Sequence, residues 1–81
     1  MKVYIVLLQG NYDDDFVSEI KGVFKTKNKA IKMFKKISKE IKKDYTSAFD
    51  IEELLEDENN FYIQNYEGCW DKLTIEESEL N

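Results

Sequence analysis

Six consecutive apolar residues stand almost at the start of the chain, with Val3, Ile5 and Leu7 alternating with Tyr4, Val6 and Leu8. Successive side chains of a strand point to opposite faces, so a run that is apolar at both parities needs cover on both sides and predicts a central strand. The rest of the sequence has to supply its neighbours and its cover.

The run Gly10-Asn11-Tyr12-Asp13-Asp14-Asp15 interrupts the pattern with turn residues, and Phe16–Phe24 resumes it with β-branched and aromatic residues. A hairpin with a longer loop accounts for both segments. From Lys27 the period changes: Ala30, Phe34, Ile37 and Ile41 fall at helical spacing with Met33 beside them, Thr26 is placed to cap, and the helix is expected to reach about Asp44. Ser47 and Asp50 resemble a capping box, and Ala48, Ile51, Leu54 and Leu55 would gather on one side of a second, shorter helix. Phe61-Tyr62-Ile63 begins a strand to about Tyr66, and Glu67-Gly68 turns the chain. Trp70, Lys72 and Thr74 then alternate with Asp71, Leu73 and Ile75 in a half-buried last strand. The expected fold is α+β: a small two-layer domain, its antiparallel sheet in ββααββ order packed under one long and one short helix.

At 81 residues the chain is expected to form a single domain over 1–81, with 78–81 as a frayed tail. Apolar residues make up 42% and include eleven aromatics, so a monomeric core is within reach and a homodimer is optional. Cys69 is the sole cysteine and histidine is absent, which removes intramolecular disulfides, cysteine-based zinc sites, the commonest zinc ligand and the commonest general base. No apolar run approaches the length of a membrane span, and Met1–Gln9 lacks the pattern of a signal peptide, so a cytoplasmic protein without membrane contact is expected.

Charge is unevenly distributed. Residues 1–24 carry −2, residues 25–43 carry nine lysines and one acid for +8, and residues 44–81 carry one lysine and twelve acids for −11. All twelve basic residues are lysine, and without arginine the bidentate reading of guanine or phosphate is missing, which argues against nucleic acid as the partner. Lys32, Lys35, Lys36, Lys39 and Lys43 lie on the helix side away from the apolar stripe, where a solvated face is the ordinary reading. Lys25, Lys27 and Lys29 surround the helix start and form the best local candidate for anion binding. Asp13-Asp14-Asp15 lacks the spacing and distal glutamate of a calcium loop and reads as a solvated turn, so no metal is assigned.

The segment Gly22-Val23-Phe24-Lys25-Thr26-Lys27-Asn28-Lys29-Ala30, after the opening Met1-Lys2-Val3-Tyr4-Ile5-Val6 strand, resembles a unit of small uncharacterised bacterial and phage proteins. In them a strand ends in Gly-Val-Phe, a Ser or Thr caps the next helix, and an alanine seats that helix on the sheet. The resemblance covers roughly residues 2–45 and implies a fold but no activity. Here Lys27, Asn28 and Lys29 replace the usual first-turn glutamate, against the helix dipole.

No nucleophile–base pair, glycine-rich phosphate loop or cofactor motif is present, so the expected class is a non-enzymatic protein-binding domain without cofactors, of the phage or mobile-element accessory or inhibitor kind. Its acidic second half would meet the partner, through Glu52, Glu53, Glu56, Tyr66 and Trp70. Two alternatives use other surfaces: a lysine-helix module binding nucleic acid or another polyanion, and a dimer sequestering a small anionic ligand. Tyr4, Tyr62, Tyr66 and Trp70 add a further expectation, that the uncovered sheet face carries Tyr4, Val6 and Leu8 and offers a docking or homodimer surface.

Overall fold

The computed structural model describes residues 1–48 and 50–79. Its elements are β1 (Lys2–Tyr12), β2 (Asp15–Phe24), α1 (Lys27–Ala48), β3 (Ile51–Glu56), β4 (Asn60–Asn65) and β5 (Trp70–Glu79). All five strands form one antiparallel sheet in the order β2-β1-β5-β4-β3, so β1 is an interior strand with β2 and β5 on its two sides. Among the described residues α1 is the one helix, it lies on one face, and it is not long and apolar enough to cross a membrane.

The element order is ββαβββ, not the expected ββααββ: the second helix does not form. Tyr45 follows Ile41 by four residues, continues the apolar stripe into the core, and draws α1 through the position where a second helix was expected to open. Ile51–Glu56 then pairs with Asn65–Phe61 as an edge strand. Leu54 fits either period, and pairing with an aromatic-rich strand outweighs a local capping signal. The first hairpin also closes more tightly than expected. Tyr12 stands opposite Asp15, and the loop is only Asp13 and Asp14, both at positive φ (49° and 72°), the primed turn that suits the twist of a two-residue hairpin. At the other end Ser78 and Glu79 pair with Val3 and Lys2, whereas Leu80 and Asn81 of the expected tail lie outside the described residues.

Thr26 caps α1, its hydroxyl accepting from Lys29 N at 3.4 Å, and Ala30 is fully buried where the helix meets the sheet. The core joins Ala30, Phe34 and Tyr45 to Val6, Leu73, Phe61 and Ile63, with Tyr4, Leu8 and Ile75 packed beside them. Tyr4, Val6 and Leu8 therefore face the helix, and the expectation that they line the uncovered face is overturned. A run apolar at both parities does not reveal which parity the helix will choose. The register with β5, which puts Val6 opposite Ile75 and Leu8 opposite Leu73, decides it.

One end of this core is polar. Asp71, only 4% exposed, accepts from the hydroxyl of Tyr12 and also lies against that of Tyr45. Gly10 makes room, since a Cβ there would stand 2.6 Å from the Asp71 carboxylate. Burial raises the Asp71 pKa more than the two tyrosine hydroxyls lower it, and burial together with this carboxylate pushes both phenols up. Next to it Asn65 organises the turn into β5, its Oδ1 accepting from Glu67 N at 2.9 Å and Cys69 N at 3.0 Å, while Gly68 takes the left-handed φ of 92°.

Two outcomes are expected. Removing a buried phenylalanine costs about 3–5 kcal/mol, and a charge left in its place costs more, against a total stability of roughly 4–12 kcal/mol for this length. Phe34→Asp should abolish the cooperative thermal transition followed by circular dichroism, and a variant that melts like the parent would mean the stripe does not face the core. For Asp71 the folded pKa lies above its unfolded value, so its contribution is fully present below about pH 4 and is lost as pH rises through the folded value. The difference in melting temperature between Asp71→Asn and the parent should therefore grow in favour of the variant as pH is raised from about 3 to 7. A pH-independent difference would show that Asp71 does not titrate in this way.

Candidate functional site on the uncovered sheet face

Alternation places Val3, Ile5 and Leu7 of β1 away from the helix, and no described element covers that face. Register adds Ile20 opposite Leu7, Val23 opposite Ile5, and Phe16 and Trp70 on either side of Asn11. Phe16, Ile20, Val23 and Leu55 are each more than half exposed, far from the ordinary fate of large apolar side chains. Val3 is buried and Ile5 and Leu7 are half-buried, so with Ile20 and Val23 they form one apolar patch, which the polar row Ser18–Gln9–Lys72 separates from Phe16 and Trp70.

Three rings cross this face. Trp70 stacks on Tyr62 with centroids 5.9 Å apart and planes 27° apart, and Phe16 meets its other side at 6.2 Å and 57°. The Tyr62 hydroxyl donates to Gln64 Oε1 at 2.6 Å, and Gln64 Nε2 donates to Glu52 Oε2 at 3.4 Å. The Tyr62 hydroxyl is thus held while its ring remains available. Burial, then the charges of Glu53 and Glu52, raise the Tyr62 pKa.

Beside the rings a groove of about 730 Å³ runs between β3 and β5, with Leu55, Tyr62 and Trp70 on its floor and Glu53, Glu56, Asp57 and Lys72 around it. Glu56 is paired with Lys42 of α1 at 3.2 Å, and Glu53 and Asp57 still outnumber Lys72, so the groove is apolar inside and negative at its rim. Asp57 is fixed as a carboxylate by the turn it makes: it accepts from Asn59 N and Asn60 N, both at 2.9 Å, and its pKa is lowered chiefly by the first of these bonds.

Of the residues singled out from sequence, Glu53, Glu56 and Trp70 line this groove, and Glu52 joins it through Gln64. Tyr66 does not: it is 70% exposed on the Asn65–Cys69 turn. Leu55 was missed because a helical reading turns it inward, whereas in a strand it alternates with Leu54 and points out. The cationic alternative fares differently. Lys27 lines one cleft with Lys35, Glu56, Asp57 and Glu58 and another with Glu77, so both clefts also hold acids. Lys29 lies along α1 with Lys32 and Lys36 beside Phe24 and Met33, and Lys25 is exposed before the helix. Lys27 and Lys29 thus line different clefts.

No curated protein and no solved structure matches the chain. One family does, described as a domain of unknown function, DUF7336, and it matches residues 1–73. The matched span takes in the hairpin, the helix, β3, β4 and the start of β5, including every ring of the uncovered face, and the chain belongs to the DUF7336 family.

Proposed function

We propose that this protein is a non-enzymatic binding domain that docks on another protein through the groove of Leu55, Tyr62 and Trp70. The observation that carries the reading is the stacked ring ladder on a sheet face that no described element covers, bordered by Glu52, Glu53, Glu56 and Asp57. Aromatic side chains in a partly desolvated groove are the usual anchors of an interface, and surrounding charge sets approach rate and specificity. The matching partner is a segment with lysine or arginine flanking an apolar side chain. Acids distributed over a rigid strand and turn suit the filling of a basic groove on a target, the working mode of a phage or mobile-element accessory or inhibitor protein. The lysines support a polyanion partner less well, since both clefts of Lys27 also hold acids and the net charge is −5.

Selection from a random peptide display against the purified domain, at physiological salt, is expected to enrich sequences that combine basic with apolar residues. Trp70→Ala should then weaken the best peptide by at least about thirtyfold, the scale of losing one anchor. A triple Glu52→Lys, Glu53→Lys, Glu56→Lys variant should associate more slowly and lose the salt dependence of its association rate. A triple Lys32→Glu, Lys35→Glu, Lys39→Glu variant should bind almost normally. Loss of binding in the lysine set, with the glutamate set unaffected, would sink the reading. For nucleic acid the expectation is negative: sub-micromolar affinity for duplex or single-stranded DNA at about 0.15 M salt, within reach of specific binders, would favour the lysine helix instead.

A further inference from the structure

The two edges of the sheet are built differently. On β3 the edge bears Glu52, Glu53 and Glu56, charges of the kind that keep an edge from pairing with another chain. The β2 edge has ten residues, no proline, and two charged side chains between its ends that neutralise each other, with Lys21 Nζ 3.1 Å from Glu19 Oε2. Its apolar side chains are exposed, Phe16 at 61% and Ile20 at 59%. Such an edge is a template for strand addition.

The hairpin determines which backbone groups are free. Tyr12 and Asp15 close a two-residue turn, so they form a hydrogen-bonded pair, and alternation then directs the N–H and C=O of Asp15, Val17 and Glu19 towards β1. Those of Phe16, Ser18 and Ile20 point outward from the sheet. The ladder stays regular up to Ile20 and shifts register before Gly22.

We infer that β2 pairs antiparallel with β2 of a second copy of this chain, with the two-fold axis at Ser18. This goes beyond the docking groove and does not depend on it. In this register Ser18 meets Ser18 of the other copy and Phe16 meets Ile20, so all the outward N–H and C=O groups of these three residues are satisfied in both copies. On the uncovered face the Phe16–Ile20 pairs cover each other. On the helix face Asp15 meets Lys21, a residue that its ion pair with Glu19 keeps on that face. Charge selects the register: centring on Glu19 sets that acid against itself, and centring on Val17 sets Asp15 against Glu19 twice. Centring on Ile20 would run across the register shift and pair residues that point to opposite faces. The product is one continuous sheet through both copies, with the acidic β3 edges at its outer ends.

Sedimentation of the intact chain from about 1 µM to about 1 mM should show a monomer–dimer equilibrium. Ser18→Pro removes an N–H that the fold does not use and should weaken the dimer at least tenfold, with its circular dichroism kept. Leu55→Ala, at the groove on the opposite edge of the sheet, should leave the dimer intact. Opposed residues of a hydrogen-bonded pair stand about 5.5 Å apart at Cα, within disulfide range. In a Cys69→Ser background, mild oxidation should therefore cross-link Ser18→Cys much faster than Val17→Cys or Glu19→Cys, which also decides the matter if Ser18→Pro does not fold. A chain that stays monomeric throughout, a dimer that survives a folded Ser18→Pro, or cross-linking fastest at 17 or 19 would each overturn the inference.

Discussion

Pairing of β1 with β5 is the interaction on which the rest of the structure depends. It joins Lys2–Asn11 to Trp70–Glu79, bringing the two ends of the sequence side by side in the middle of the sheet. Without it the first hairpin and the β3–β4–β5 meander would be separate two- and three-stranded pieces, each with little stability of its own. With it, Val6, Leu8, Leu73 and Ile75 form one apolar floor, and that floor is what the stripe of α1 buries against. Contacts so distant in sequence close the largest loop in the chain, so the helix can contribute its burial energy only after they form.

The same pairing explains the polar end of the core. Gly10 lies opposite Asp71, and the missing Cβ is the space the carboxylate occupies. Tyr12 from the end of β1 and Tyr45 from the last turns of α1 converge on that carboxylate, so three elements meet at one buried acid. A buried carboxylate without a cation beside it is destabilising in itself, and hydroxyl donors offset part of that cost. In return the arrangement fixes register: slipping β5 by one residue would move Asp71 to the other face and leave both phenols without it.

A sheet with a helix on one side has a second face to account for. Most small antiparallel sheets make that face polar, but here β1, β2 and β4 continue to supply apolar and aromatic residues to it. Apart from Glu76 on β5, opposite Ile5, the acids near that surface are grouped. They sit along β3 and its turn, where they border the groove and guard that edge at once, while β2 has no such protection. Groove and unguarded edge thus occupy opposite sides of the uncovered face, with the three rings between them.

Much of the local structure was legible in the sequence because it is set by residues close together in the chain. The interior position of β1 agrees with its two-faced apolar run, the Thr26 cap and the Ala30–Phe34–Ile37–Ile41 stripe mark the helix, and alternation from Trp70 marks β5. The rest depended on contacts across the fold. Ile51–Glu56 has a period compatible with helix or strand, and only β4 beside it makes the choice, carrying Leu55 from the expected core to the outer groove. The parity of Tyr4, Val6 and Leu8 is undetermined while both faces are apolar, until the register with β5 and the seat of Ala30 assign it. Asp71 reads as a surface acid among twelve, and its burial appears only when Gly10, Tyr12 and Tyr45 are brought around it. Sequence by itself determined which segments are amphipathic and where they begin, since hydrophobic period and capping act over a few residues. Which face each segment buries was decided by tertiary structure alone, because that choice belongs to pairs of segments and to no single one of them.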